Sequence, residues 1–200
     1  LDLNGYMITT TKTITNNGEL KIINSSNNSS TVGTNGSITL FTNNGTLEIE
    51  NTNVNGYNSL VNSTSGTLKV KDAVINSSNQ AINNSGTLSV DGTNITGTNY
   101  AFYNNSTVAN TISNSTLTSS SNAIYKNNSS ETTILNTTIK GSVTNSKSTG
   151  ILNITGGETG NTITGPMSNT GKANIIGMKI SYSSNYYDHE QAINNSGVMK

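Results

Sequence analysis

The chain has 200 residues, of which 36 are Asn, 32 Thr and 28 Ser, while Leu, Ile, Val and Phe together number only 42. Ten Lys, no Arg and ten acidic residues leave no net charge, which removes the basic surface that nucleic-acid binding depends on. No Cys is present for a disulfide, a thiolate nucleophile or a zinc–sulfur site, and no apolar run approaches the roughly 18 residues of a membrane-spanning helix.

That composition would suit a disordered, Asn-rich segment, except that disordered chains of low hydrophobicity usually carry excess charge. The apolar residues are also placed rather than scattered. Leu1, Leu3, Ile8 and Ile14 open a first unit, and Leu20 and Ile22 lead on to Leu40-Phe41. The frame then sharpens to Gly45-Thr46-Leu47-Glu48-Ile49, Val54 and Leu60-Val61. It repeats as Gly66-Thr67-Leu68-Lys69-Val70, Ile75 and Ala81-Ile82, and again as Gly86-Thr87-Leu88-Ser89-Val90, Ile95 and Ala101-Phe102. Steps of 21 and 20 residues separate Leu47, Leu68 and Leu88. Looser copies follow: Ile112, Leu117 and Ala123-Ile124; Ile134, Ile139 and Val143; Leu152, Ile154, Ile163 and Met167; Ile175, Ile180 and Ala192-Ile193.

Apolar pairs two apart, bounded by Gly, Asn and Ser, are strand signals, and nothing recurs at helical spacing. Units of about 20 residues cannot each bury a face alone, but stacked units can. The spacing therefore predicts an all-β fold, a β-solenoid of about nine coils of roughly 20–27 residues with three short strands each. One solenoid domain is expected over 1–200, as a piece of a longer solenoid.

Two residues after the last apolar station of each unit stand Asn16, Asn43, Ser63, Asn84, Asn104, Lys126, Asn145, Asn169 and Asn195. Stacked coils would set these side chains above one another, so that each amide donates to the next carbonyl in a ladder. Asn also tolerates the left-handed backbone of a sharp corner. On the face beside the repeated Leu, Lys21, Glu48 and Lys69 follow one another, and Glu50, Lys71 and Asp91 stand two residues further along. Signs alternate from coil to coil, which would fix strand register. Tyr103 and Tyr125 occupy equivalent outward positions and should stack, as structural aromatics first and as part of a contact surface second.

Strand, Asn corner, strand, with stacked Leu, Val and Ile inside, resembles the right-handed parallel β-helix of the pectate-lyase-like superfamily. More narrowly, the stretch from Ala81 to Gly97 resembles the repeats of bacterial autotransporter adhesins and of large Gram-positive wall-anchored surface proteins. The resemblance implies an extracellular location on a bacterial surface and the right-handed sense of the coil. It also implies adhesion to host or bacterial cells, through surface glycans or proteins or by self-association of solenoids. From composition and motifs, no cofactor, no metal, no nucleic-acid partner and no direct insertion of this segment into a membrane are expected.

Enzymes on that fold use clustered carboxylates, often with Arg, Lys or Ca²⁺. Here Glu48, Glu50, Asp72 and Asp91 are accounted for by the alternating face, so no catalytic residue is assigned. One insertion, Ser181 to Gln191, gathers Tyr182, Tyr186, Tyr187, Asp188, His189 and Glu190, and a second, Thr155 to Asn161, carries Glu158. Tyrosines can stack on a sugar ring while the acids and the His bond its hydroxyls, which makes these residues the candidate ligand contacts. Two other readings stay open: a polysaccharide lyase or hydrolase using Asp188, His189 and Glu190, and a passive stalk.

Overall fold

A computed structural model describes residues 1–157, 161–182 and 192–200. Period-two alternation buries one face of each strand. In Thr67–Lys71 and Thr87–Asp91 the Leu and Val point inward, while Lys69, Lys71 and Ser89 are exposed. Each strand then pairs in parallel with its counterpart one coil away. Leu47 faces Leu68 and Leu68 faces Leu88. Another stack runs from Val54 through Ile75, Ile95, Leu117, Ile139 and Ile163 to Ile180. A third joins Ile82, Phe102 and Ile124. The molecule is a parallel β-solenoid, without helix among the described residues, and its apolar side chains form one core along the axis.

Among the described residues, nine strands from Glu19–Ile23 to Val198–Met199 make up one sheet, one strand per coil. The other sheet, of fourteen strands, combines the remaining two walls. Some coils keep them as separate strands, as in Asn94–Gly97 and Tyr100–Asn104. Others fuse them into one extended strand, as in Asn53–Asn62 and Val74–Asn84. Three short strands per coil therefore hold only in part, because the corner between these walls is shallow enough for continuous pairing.

The Asn ladder is present. Asn16 Nδ2 donates to Asn43 Oδ1 (2.8 Å), Asn43 to Asn62 (2.8 Å), Asn62 to Asn84 (2.7 Å) and Asn84 to Asn104 (3.2 Å). It resumes from Asn145 to Asn169 and from Asn169 to Asn195, both at 2.8 Å. All these bonds run the same way, from each coil to the next. Most of these amides also donate to a nearby corner carbonyl, as Asn43 does to Gly45 O at 3.0 Å. The side chain thereby gives a second donor to corner carbonyls that also accept from the next coil, as Gly45 O does from Thr67 N at 2.8 Å.

Two expectations about this corner need correction. The third rung is Asn62, not Ser63, because Leu60 pairs with Ile82 and Asn62 with Asn84. A register shift after Gly56 gives the next coil one extra residue, so Leu60-Val61 is displaced by one relative to Ala81-Ile82. Ser59 takes the small inward position, and Val61 turns half out. The left-handed backbone also lies elsewhere. Ladder residues end regular strands, whereas Asn51, Asp72, Asn114 and Asn136, with φ from 44° to 51°, turn the chain from the nine-stranded sheet into the next coil. Gly92 fills the same position with φ of 61°.

Directly after these turns lies a second internal row. The Thr93 hydroxyl donates to Asp91 O (2.9 Å) and accepts from Ala73 N (3.4 Å), while the Ser115 hydroxyl accepts from Thr93 N (3.1 Å). The Thr137 hydroxyl accepts in turn from Ser115 N (3.3 Å) and donates to Leu135 O (2.8 Å). Each buried hydroxyl thus links two coils.

Candidate functional site

Of the candidate ligand contacts, Tyr182 is described, and Glu158, Tyr186, Tyr187, Asp188, His189 and Glu190 lie outside the described residues. Tyr182 lines a groove with Ser119, Ser120 and Ser121 of one coil, Lys140, Gly141 and Ser142 of the next, and Thr164, Gly165 and Pro166 of the one after. A register irregularity between Thr118 and Asn122 places the three serines at this bend. The Ser119 and Ser120 hydroxyls both donate to Thr98 O, at 3.0 and 2.8 Å, and the Ser119 oxygen also accepts from Ser121 N at 3.0 Å. The groove combines one aromatic ring, one ammonium and a row of hydroxyls. These groups suit a polyhydroxylated ligand.

Tyr103 and Tyr125 stack as expected, with ring centroids 5.4 Å apart and planes 5° off parallel. Tyr100, not anticipated, packs edge-on against both at 5.4 and 5.6 Å. It shares their face because Ala101 and Phe102 both point inward at the bend, which breaks the alternation and leaves Tyr100 and Tyr103 outside. The three rings cover one another and serve first as a clamp across two coils.

The alternating charges lie as the sequence places them. Lys69 Nζ donates to Glu48 Oε1 at 2.7 Å, and Lys21 lies 3.6 Å from Glu48 and 3.4 Å from Glu50. Lys71 stands 3.9 Å from Glu50. The hydrogen bond and charge of Lys69 hold the Glu48 carboxyl below its ordinary range. Asp91 is likewise lowered, first by the Ser113 hydroxyl at 2.7 Å and then by the Asn114 amide at 2.7 Å.

Lys126 occupies a ladder rung and is fully buried. Its ammonium donates to Asn128 O (2.7 Å) and Asn128 Oδ1 (2.9 Å), and burial pushes its pKa down to about 8. The ladder breaks around it. Asn104 Nδ2 turns to the Thr132 hydroxyl (2.9 Å), and Asn145 Oδ1 is left buried without a partner. In the same coils the repeated inward Leu gives way to Asn110 and Thr132, both buried. Asn110 Oδ1 accepts from Leu88 N at 2.7 Å. A polar knot thus interrupts the apolar core midway along the solenoid.

In comparisons with known proteins, no family model matches the chain, and no curated sequence or solved structure matches it either. What is established is the parallel β-solenoid with its Asn ladder.

Proposed function

We propose that this chain is a non-enzymatic, adhesive segment of an extracellular bacterial surface protein, built as a right-handed β-helix of the pectate-lyase-like kind, that binds cell-surface glycans. The observation carrying this reading is the groove in which Tyr182 joins Ser119–Ser121, Lys140 and Pro166 across successive coils. A pyranose presents an apolar face to a tyrosine ring and hydroxyls to Ser and Lys, and repetition of such polar rows along a solenoid favours weak, multivalent contact.

The test is saccharide binding by the intact chain on a glycan array, followed by titration of whichever glycans are retained. Tyr182→Ala and Lys140→Ala should each weaken binding roughly tenfold. Binding unchanged by both substitutions would refute the groove. Hydrolysis or elimination of a polysaccharide that is abolished by replacing Asp188, His189 or Glu190 would instead establish the enzymatic reading.

A further inference from the structure

The chain has eight Tyr, no Trp and no Cys, so tyrosine is the side chain from which a one-electron oxidant draws most readily. Its four Met react instead by oxygen transfer to the sulfur. Two of the tyrosine rings, Tyr103 and Tyr125, lie face to face. Strand pairing sets them opposite each other, with Asn83 before them and Thr144 after them in the same outward row. Neighbouring strands at about 4.8 Å hold the rings in register, with centroids 5.4 Å apart and planes 5° off parallel. Both are half-buried, so each keeps part of its ring open to an oxidant.

We infer that Tyr103 and Tyr125 form a site of oxidative cross-linking, at which a peroxide-driven haem peroxidase joins the two rings into a covalent staple between neighbouring coils. Each phenol gives up one electron and the proton of its hydroxyl, and the unpaired electron spreads onto the carbons ortho to the oxygen. One ortho carbon of each ring then bonds to the other, and the hydrogens on those carbons pass to the two oxygens as the rings regain aromaticity. Hydrogen peroxide takes up the two electrons and two protons and leaves as two waters. The new C–C bond forms through the π orbitals that stand normal to each ring, which parallel planes aim at one another. Tyr100 is as close, at 5.4 and 5.6 Å, but its plane stands 78° and 74° away, so it braces the pair without joining it. A radical on either ring of the pair meets a partner already in position, whereas a tyrosine on a second molecule must diffuse to it.

The staple falls where the amide ladder fails. Tyr103 directly precedes Asn104 and Tyr125 directly precedes Lys126, the two rungs that face each other in register. Asn104 Nδ2 bonds to Thr132 instead of to the next rung, and the Lys126 ammonium bonds to Asn128. The ladder bond between these coils is therefore missing at that corner, and a covalent bond one residue away supplies a stronger tie. It closes a loop of about 20 residues, which restricts the unfolded chain as a disulfide of that span does. The chemistry of the staple depends neither on the Tyr182 groove nor on adhesion.

The experiment treats the full chain, in dilute solution, with hydrogen peroxide and a haem peroxidase, then reads the intact mass and the blue fluorescence of dityrosine. The monomer should lose two hydrogens. After thermolysin cuts at Leu117, between the two tyrosines, their peptides should remain joined. The cross-linked monomer should melt about 5 °C above the untreated chain. Tyr103→Phe and Tyr125→Phe each keep a ring in the stack but lack the phenol, and circular dichroism verifies that each keeps its strands. Each should lower the link at least roughly tenfold, whereas Tyr100→Phe should change it less than roughly twofold. The same treatment in urea that unfolds the chain should lower the Tyr103–Tyr125 link at least roughly fivefold. Dimers as the only linked product, links that map to Tyr100, Tyr6 or Tyr57, or a yield that survives Tyr103→Phe would each overturn the proposal. An equal yield in urea, or a staple that leaves the melt unchanged, would overturn it too.

Discussion

Replacing Lys126 by Asn should repair the ladder and remove a pH dependence that the buried ammonium imposes. An unfolded Lys keeps its proton up to its ordinary value of 10.5, whereas the folded one releases it near 8. Between those values the unfolded state binds more protons, so stability rises with pH across this window and is lowest at and below neutrality. The difference amounts to about 3 kcal/mol. At pH 7 Lys126→Asn removes this cost and offers an amide that can accept from Asn104 Nδ2 and donate to the orphaned Asn145 Oδ1, each bond worth about 1 kcal/mol. Against that stand the two bonds to Asn128 that are lost and the space left by the shorter side chain. The net expectation is stabilisation by about 2 kcal/mol at pH 7. Urea unfolding followed by circular dichroism at pH 7 and pH 10 measures both effects. Lys126→Met separates them, because it removes the charge without supplying a rung. If the variants keep the same gain between pH 7 and pH 10 as the wild type, the buried ammonium is not its source and the reasoning fails.

The ladder's register can be checked at its corrected rung. Asn62→Ala leaves Asn43 Nδ2 and Asn84 Oδ1 without their ladder partner and should cost about 3 kcal/mol in urea unfolding, whereas Ser63→Ala should change stability by less than about 0.5 kcal/mol. Equal effects would put Ser63 back in the stack. Gly86→Ala should destabilise by about 2 kcal/mol, since an added methyl would collide with the backbone carbonyls of Gly66 and Ser63 in the coil below. Gly18→Ala, with open space beside it, should leave stability unchanged, and urea unfolding of the two variants makes the comparison.

The stacking frame was legible because an inward Leu, Val or Ile in a strand is both a local signal and a core contact. Leu68 and Leu88 needed no further information. The same logic found the ladder at Asn16, Asn43, Asn84, Asn104, Asn145, Asn169 and Asn195, but it slipped by one at Asn62, because a register shift between neighbouring strands leaves no mark in composition. The hydroxyl row of Thr93, Ser115 and Thr137 escaped notice for a different reason. With Ser and Thr making up so much of the chain, a fixed offset does not stand out from the background. Lys126 was visible as the one basic rung, but burial without a counter-charge could not be read from a residue that is normally solvated. Tyr100 required knowing that Ala101 and Phe102 both face inward. Of the candidate site, Tyr182 gained neighbours from three coils that no linear motif joins, because only stacking brings positions some 20 and 40 residues apart into one groove.

The common direction of the ladder bonds makes the two ends of each amide run chemically different, a donor facing one way and an acceptor the other. A finished coil holds out an amide donor toward the next one, and the arriving strand needs only to bring a carbonyl to meet it. At Lys126 the arriving coil brings an ammonium instead of an amide carbonyl, and Thr132 must receive the waiting donor in its stead. The first five rungs and the last three are thus two separate amide runs, and Lys126 marks the seam between them.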